Sequence, residues 1–201
     1  GGGAGGHIYP ALAVAKAIRE ENIASIKLHE KFGFKEIYNF VGVAFNKERQ
    51  DLRMRFNAFL DSLKNCGALA QMIDEWLQPG TTRPMPVYTD SECVNGTITV
   101  ALSSMQEPIC FVRDGQIVGI EVEMVTEFAH SMGMGIELTD MNFDAIIPYL
   151  STNRADMAIA LLAITEEREK SVDFSVSWCY ERHALLVRNA PPVVSDGSDA
   201  V

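Results

Sequence analysis

"ADMAIALLAITEEREKSVDFS", residues 155–175, is the stretch whose reading decides the fold. It begins as an apolar run, passes through Thr165 into a charged turn that holds one arginine, Arg168, and returns to a run rich in β-branched and aromatic residues. Short apolar runs bounded by turn-forming residues read as buried strands. The stretch therefore predicts strands over 155–162 and 172–177 with a helical turn over 165–170 between them. An arginine in an E-E-R-E-K turn is ordinarily a surface residue, paired here with Glu166 or Glu167.

Working outward, strands and helices alternate. "TITVALSS" (97–104) reads as a strand and "FVRDGQIVG" (111–119) as a hairpin around Asp114-Gly115. "IEVEMVTEFAHSMG" (120–133) reads as a helix, "GIELTDM" (135–141) as a strand and "FDAIIPYL" (143–150) as a short helix. "HALLVRN" (183–189) is expected to be the last strand, and the tail from 190 to be disordered. Upstream, 34–46 is expected to be strand in one or two pieces. Leu52, Phe56, Phe59, Leu60 and Leu63 make a helical stripe that Gly67 breaks and Leu69, Met72, Ile73, Trp76 and Leu77 resume. Residues 78–96, with three prolines and two glycines, read as a linker. Helices are also expected over 10–21 and 22–33. The alternation predicts an α/β fold, a mixed sheet flanked by helices, and no internal repeat.

Composition narrows the function. The 201 residues carry a net charge of −10, unevenly spread. Residues 1–76 hold 10 basic and 9 acidic side chains, and residues 77–201 hold 7 and 18. So acidic a surface repels phosphate backbones, and nucleic acid is not expected as a partner. No apolar run approaches the roughly 18 residues of a membrane span, and no basic start leads into an apolar stretch, so neither membrane insertion nor a secretory leader is expected. Localisation stays open. Cys66, Cys93, Cys110 and Cys179 lack the spacing of a metal knuckle or redox pair, and His7, His29, His130 and His183 are scattered, so no metal site is expected.

With these motifs in hand, the sequence resembles the first lobe of amino-acid-type extracellular, or periplasmic, solute-binding proteins, the receptors of ABC importers. The resemblance runs from about Gly96 to Asn189. It is carried by G-x-x-V-G-x-x-V-x-M, F-x-x-I-I-P-x-L and I-T-x-E-R-x-x-x-V-D-F-S. Residues 41–77, "VGVAFNKERQDLRMRFNAFLDSLKNCGALAQMIDEWL", resemble the strand and two helices with which that family closes its chain. The order is inverted and the family's second lobe has no counterpart between the two pieces. A circularly permuted lobe is one reading, and a splice or chimera of structural character is another. The resemblance implies a non-catalytic receptor lobe of α/β class with extra N-terminal helices. Its expected parts are a composite segment over 1–40, the packing segment over 41–77, the linker over 78–96, the lobe over 97–189 and the tail over 190–201. Residues 1–18 resemble the glycine-rich loop of the peptidoglycan N-acetylglucosaminyltransferase, and 22–37 an acetyl-CoA-dependent N-acetyltransferase helix. A transferase using Gly1–Gly6 as a phosphate cradle is thus a third reading. No cofactor is expected.

The family places the arginine of its T-x-x-R run on the ligand's carboxylate, which falls on Arg168, with Thr165 at the head of the run. A guanidinium suits that role because its fork donates two parallel hydrogen bonds and stays charged. The family's glycine and its serine or threonine, two apart, fall on Leu161 and Ala163. Alanine offers no hydroxyl acceptor, which leaves the backbone at both positions to serve. The aromatic that covers the ligand falls near Gln106. The implied ligand is an amino acid or small carboxylate, bound weakly or not at all, and the implied partner is an importer permease.

Overall fold

Ile98, Val100 and Leu102 alternate with Thr99 and Ala101 along β3 (Thr97–Leu102), and the alternation sends them to opposite faces of one sheet. In the computed structural model, which describes residues 37–89 and 92–183, that sheet has five strands. Besides β3 they are β2 (Ala44–Phe45), β7 (Gly135–Asp140), β8 (Met157–Ile159) and β9 (Asp173–Phe174), in the order β7-β3-β8-β2-β9. β7 and β8 run parallel to β3, whereas β2 is antiparallel to both β8 and β9. One face carries Phe45, Ile98, Val100, Leu102, Met157 and Ile159, and the other Ala44, Ala101, Ala158 and Ala160. The fold is α/β, a mixed sheet flanked by helices.

Residues 41–77 are built into this sheet. β2 inserts between β8 and β9, and the helices that follow it, α1 (Gln50–Asn65) and α2 (Ala68–Trp76), lie on the face that carries Phe45. The apolar stripe explains why: Leu52, Phe56, Leu60, Leu69, Met72, Ile73 and Trp76 are all buried. Phe56 is the junction, 5.6 Å from the Phe45 ring centroid and 5.0 Å, edge-on, from that of Phe128. Phe128 belongs to α3 (Ile120–Ser131), the third helix on this face. The opposite face is covered by α4 (Phe143–Ser151) through Ile146 and Leu150. A second sheet pairs β1 (Ile37–Val41) with β10 (Cys179–His183). A third joins β4 (Met105–Gln106), β5 (Cys110–Arg113) and β6 (Gln116–Val118). Gly119, which starts α3, has φ +134°, and a Cβ there would stand 2.4 Å from the Ile109 carbonyl oxygen. Only glycine fits.

Several expectations need correction. The strands at 155–162 and 172–177 shorten to Met157–Ile159 and Asp173–Phe174: Leu161, at φ +51°, turns the chain out of the first, and the second pairs only with the two residues of β2. The last described strand is Cys179–His183, ahead of the 183–189 expected, and residues 184–189 lie outside the described residues. The helices expected at 10–21 and 22–33, the Gly1–Gly6 loop with both transferase-like fragments, and the tail from 190 also lie outside them. The start of the 78–96 segment is pinned to the lobe. Arg83 pairs with Glu75 and grips Glu123 by Nε and Nη2 at 2.8 and 2.5 Å. The Trp76 indole donates to the same carboxylate at 2.6 Å, and Arg113 donates to the carbonyls of Thr81 and Arg83 while stacking over Trp76. Glu123 is 4% exposed, and both its oxygens accept hydrogen bonds, while Arg83 and Glu75 reach the surface.

Candidate ligand-binding face

In open α/β sheets the binding crevice lies beyond the carboxyl ends of the parallel strands. Here β3, β7 and β8 end at Leu102, Asp140 and Ile159, and their following loops meet at one edge. Ser104 joins two of them, donating from its backbone N and its hydroxyl to the Asp140 carboxylate at 3.0 and 2.5 Å. The third leads through residues 160–165 into the short helix α5 (Glu166–Glu169), which carries Arg168.

That turn is held from three sides. The Gly42 amide donates to the Leu162 carbonyl at 3.1 Å and the Ile164 amide to the Phe40 carbonyl at 2.7 Å, bracketing a bridge between Val41 and Ala163. In an antiparallel pair flanked in this way, the central residue's own N–H and C=O are directed away from the partner strand. The Ala163 carbonyl accordingly accepts Arg168 Nη1 at 2.8 Å. The Ala163 N–H points to the same side and has no partner among the described residues. From within, the Glu121 carboxylate accepts the Leu161 amide at 2.9 Å. The Thr165 hydroxyl caps α5 by accepting the Arg168 amide at 3.3 Å.

Arg168 is half-buried, with its guanidinium carbon 5.4 Å from the Phe143 ring centroid. No carboxylate among the described residues lies within ion-pair distance of it. Glu167 pairs instead with Lys170, so the surface-pair alternative of the E-E-R-E-K turn is not what forms. The structure thus gathers Leu161, Ala163, Thr165 and Arg168 in one turn. Leu161 buries its side chain in the core rather than offering it to a ligand. Gln106 lies on β4 in the three-stranded sheet and is exposed. Among the described residues no group of His, Cys, Asp and Glu is arranged to hold a metal, and all four cysteines are free thiols.

Two residues escaped the sequence reading. Phe143 stands at the first position of α4, where it read as a helix start. Glu121 sits in "IEVEMV", where an acidic residue in the first turn of a helix normally faces solvent and complements the dipole. It is instead fully buried, with Oε1 unpartnered, and burial pushes its carboxyl up to about 7 despite the Leu161 amide and the nearby Trp178 indole.

The model of bacterial extracellular solute-binding proteins, family 3, matches residues 98–201. A probable histidine-binding protein of Campylobacter jejuni is 29% identical over 90 residues, 45% of this chain and 35% of that protein. The L-cystine-binding protein TcyJ of Escherichia coli is 31% identical over 94 residues, 46% of this chain and 35% of that protein. The chain thus spans about a third of the length of these relatives. Among solved structures, an ancestral arginine-binding protein bound to arginine matches with a TM-score of 0.38 at 37% identity, covering 39% of this chain and 35% of that one.

Proposed function

Since the chain belongs to the bacterial extracellular solute-binding proteins, family 3, we propose that residues 41–183 form a non-catalytic receptor lobe that takes the carboxylate of an amino acid or similar small acid at Arg168. The observation that carries this reading is the joint presentation of Arg168, free of any carboxylate among the described residues, and the Ala163 N–H at the carboxyl edge of the parallel strands. A guanidinium and a backbone amide on one side supply convergent donors for a carboxylate. The names of the relatives, which are histidine-, arginine- and cystine-binding, support an amino acid as the ligand class. Ala163 lacks the hydroxyl that would accept from the ammonium, so the affinity is low. An ABC importer permease is the partner this reading implies.

The same reading takes residues 41–77 and 97–183 as one permuted lobe, supported by β2 lying between β8 and β9. Calorimetry with a panel of amino acids tests the ligand. Binding to at least one of them is expected, weakened at least tenfold by Arg168→Ala. No heat from any of them with the protein folded, or unchanged affinity in the variant, overturns the assignment.

A further inference from the structure

Leu161 has φ +51°, a left-handed conformation that a leucine adopts only when its surroundings enforce it. Its amide ends on the Glu121 carboxylate at 2.9 Å, and Glu121 belongs to a different element, the first turn of α3. Two residues further on, Ala163 turns its carbonyl to Arg168. We propose that Glu121 is the positioning residue of the ligand-facing turn: by accepting the Leu161 amide it holds Leu161 left-handed, the conformation from which Ala163 faces Arg168. The inference rests on reading that turn as ligand-facing, but the anchoring itself does not need a ligand.

The surroundings make the anchor charge-dependent. Among the described residues, the groups facing the carboxylate are neutral or acidic: the Leu161 amide from the turn, the Trp178 indole, the Cys110 thiol from β5, and Cys179 and Glu181 from β10. Both thiols are pushed up, mainly by burial and further by Glu121 itself, and so stay protonated. No cation among them compensates the charge. The ionised carboxylate is the stronger acceptor, so the turn is held most firmly above neutrality and loosens as Glu121 takes up a proton. Glutamine at 121 keeps the shape and an acceptor oxygen but loses the charge.

The test is amide exchange and NMR on the full chain at pH 5 to 9. The wild-type Leu161 amide proton should shift with pH, with a midpoint near neutrality, and its exchange protection should be higher at pH 9 than at pH 5. Glu121→Gln should abolish the shift and cut protection of the Leu161 and Ile164 amides about tenfold, the size of a lost charge-assisted bond. Leu161→Ala and Leu161→Gly form the second arm. Both lack the side chain, but glycine needs no enforcement at this φ, so adding Glu121→Gln should loosen the turn more in the alanine background. An amide that does not titrate, or equal losses in the two backgrounds, overturns the proposal. A titrating amide in a protein that binds no amino acid leaves the anchor standing and rejects the ligand reading alone.

Discussion

Glu121 makes a global prediction opposite in sign to its local one. Its folded-state pKa is about 7 against an ordinary value of 4.5. Between those values the folded chain holds a proton that the unfolded chain has released, so its contribution to stability is complete below about pH 4.5 and declines as pH rises to about 7. At about 1.4 kcal/mol per unit, the loss is about 3 kcal/mol. Other carboxylates titrate in the same range, so the quantity to measure is the difference between wild type and Glu121→Gln. Urea unfolding at pH 4, 6 and 8 gives it, with the slope compared to verify that the denatured states match. The variant should gain on wild type by about 3 kcal/mol between pH 4 and pH 8, with most of the change above pH 4.5. A difference independent of pH would refute the reasoning, because it would mean that the carboxyl has the same affinity for protons in both states.

Other substitutions probe the lobe and its strap. Phe56→Ala removes the ring between Phe45 and Phe128 and should cost about 3–5 kcal/mol in a single transition seen alike by fluorescence and circular dichroism. Two separate transitions would contradict a lobe in which 41–77 and 97–183 share one core. Arg83→Met leaves the buried Glu123 with only the Trp76 indole, and should lower the urea-derived stability by about 3 kcal/mol. A loss under 0.5 kcal/mol, taken as roughly the scale of a surface substitution, would show the strap to be loosely held. Leu161→Gly should be more stable than Leu161→Ala by about 1 kcal/mol, the reverse of the usual order, because the site is left-handed.

Local chemistry was legible, and long-range pairing was not. The hairpin at 111–119 was readable because Asp114 and Gly115 tolerate the positive φ values, +53° and +77°, that a tight two-residue turn demands. The split between α1 and α2 was readable because Gly67 interrupts a continuous stripe. The family motif located Arg168, and the structure supplied the Phe143 ring and the Ala163 carbonyl that orient it. β2, in contrast, is two residues long, too short for any periodicity to show which strands it joins. The 78–96 segment has a linker's composition, and nothing local says that Arg83 meets a carboxylate forty positions away. Glu121 and Glu123 were obscured for a related reason. A helix buried nearly all round offers no polar face, and its acids then depend on partners that periodicity does not reveal.

The two buried acids of α3 also explain why one stabilises the lobe while the other strains it. Glu123 meets a guanidinium and an indole N–H, and both its oxygens are satisfied. Glu121 meets one backbone amide and leaves Oε1 unpartnered beside an indole that is not aligned to donate. A hydrophobic residue at 121 would relieve that cost, yet it would also release Leu161 from a conformation leucine does not hold unaided. Strain of this kind persists where the local geometry is worth more than the stability it forfeits. In this lobe it sits directly behind Ala163 and Arg168. Glu121→Leu should therefore raise the unfolding free energy at pH 8 while lowering the affinity for any amino acid that binds. A variant that gained in both would show that the buried carboxylate does nothing for the site.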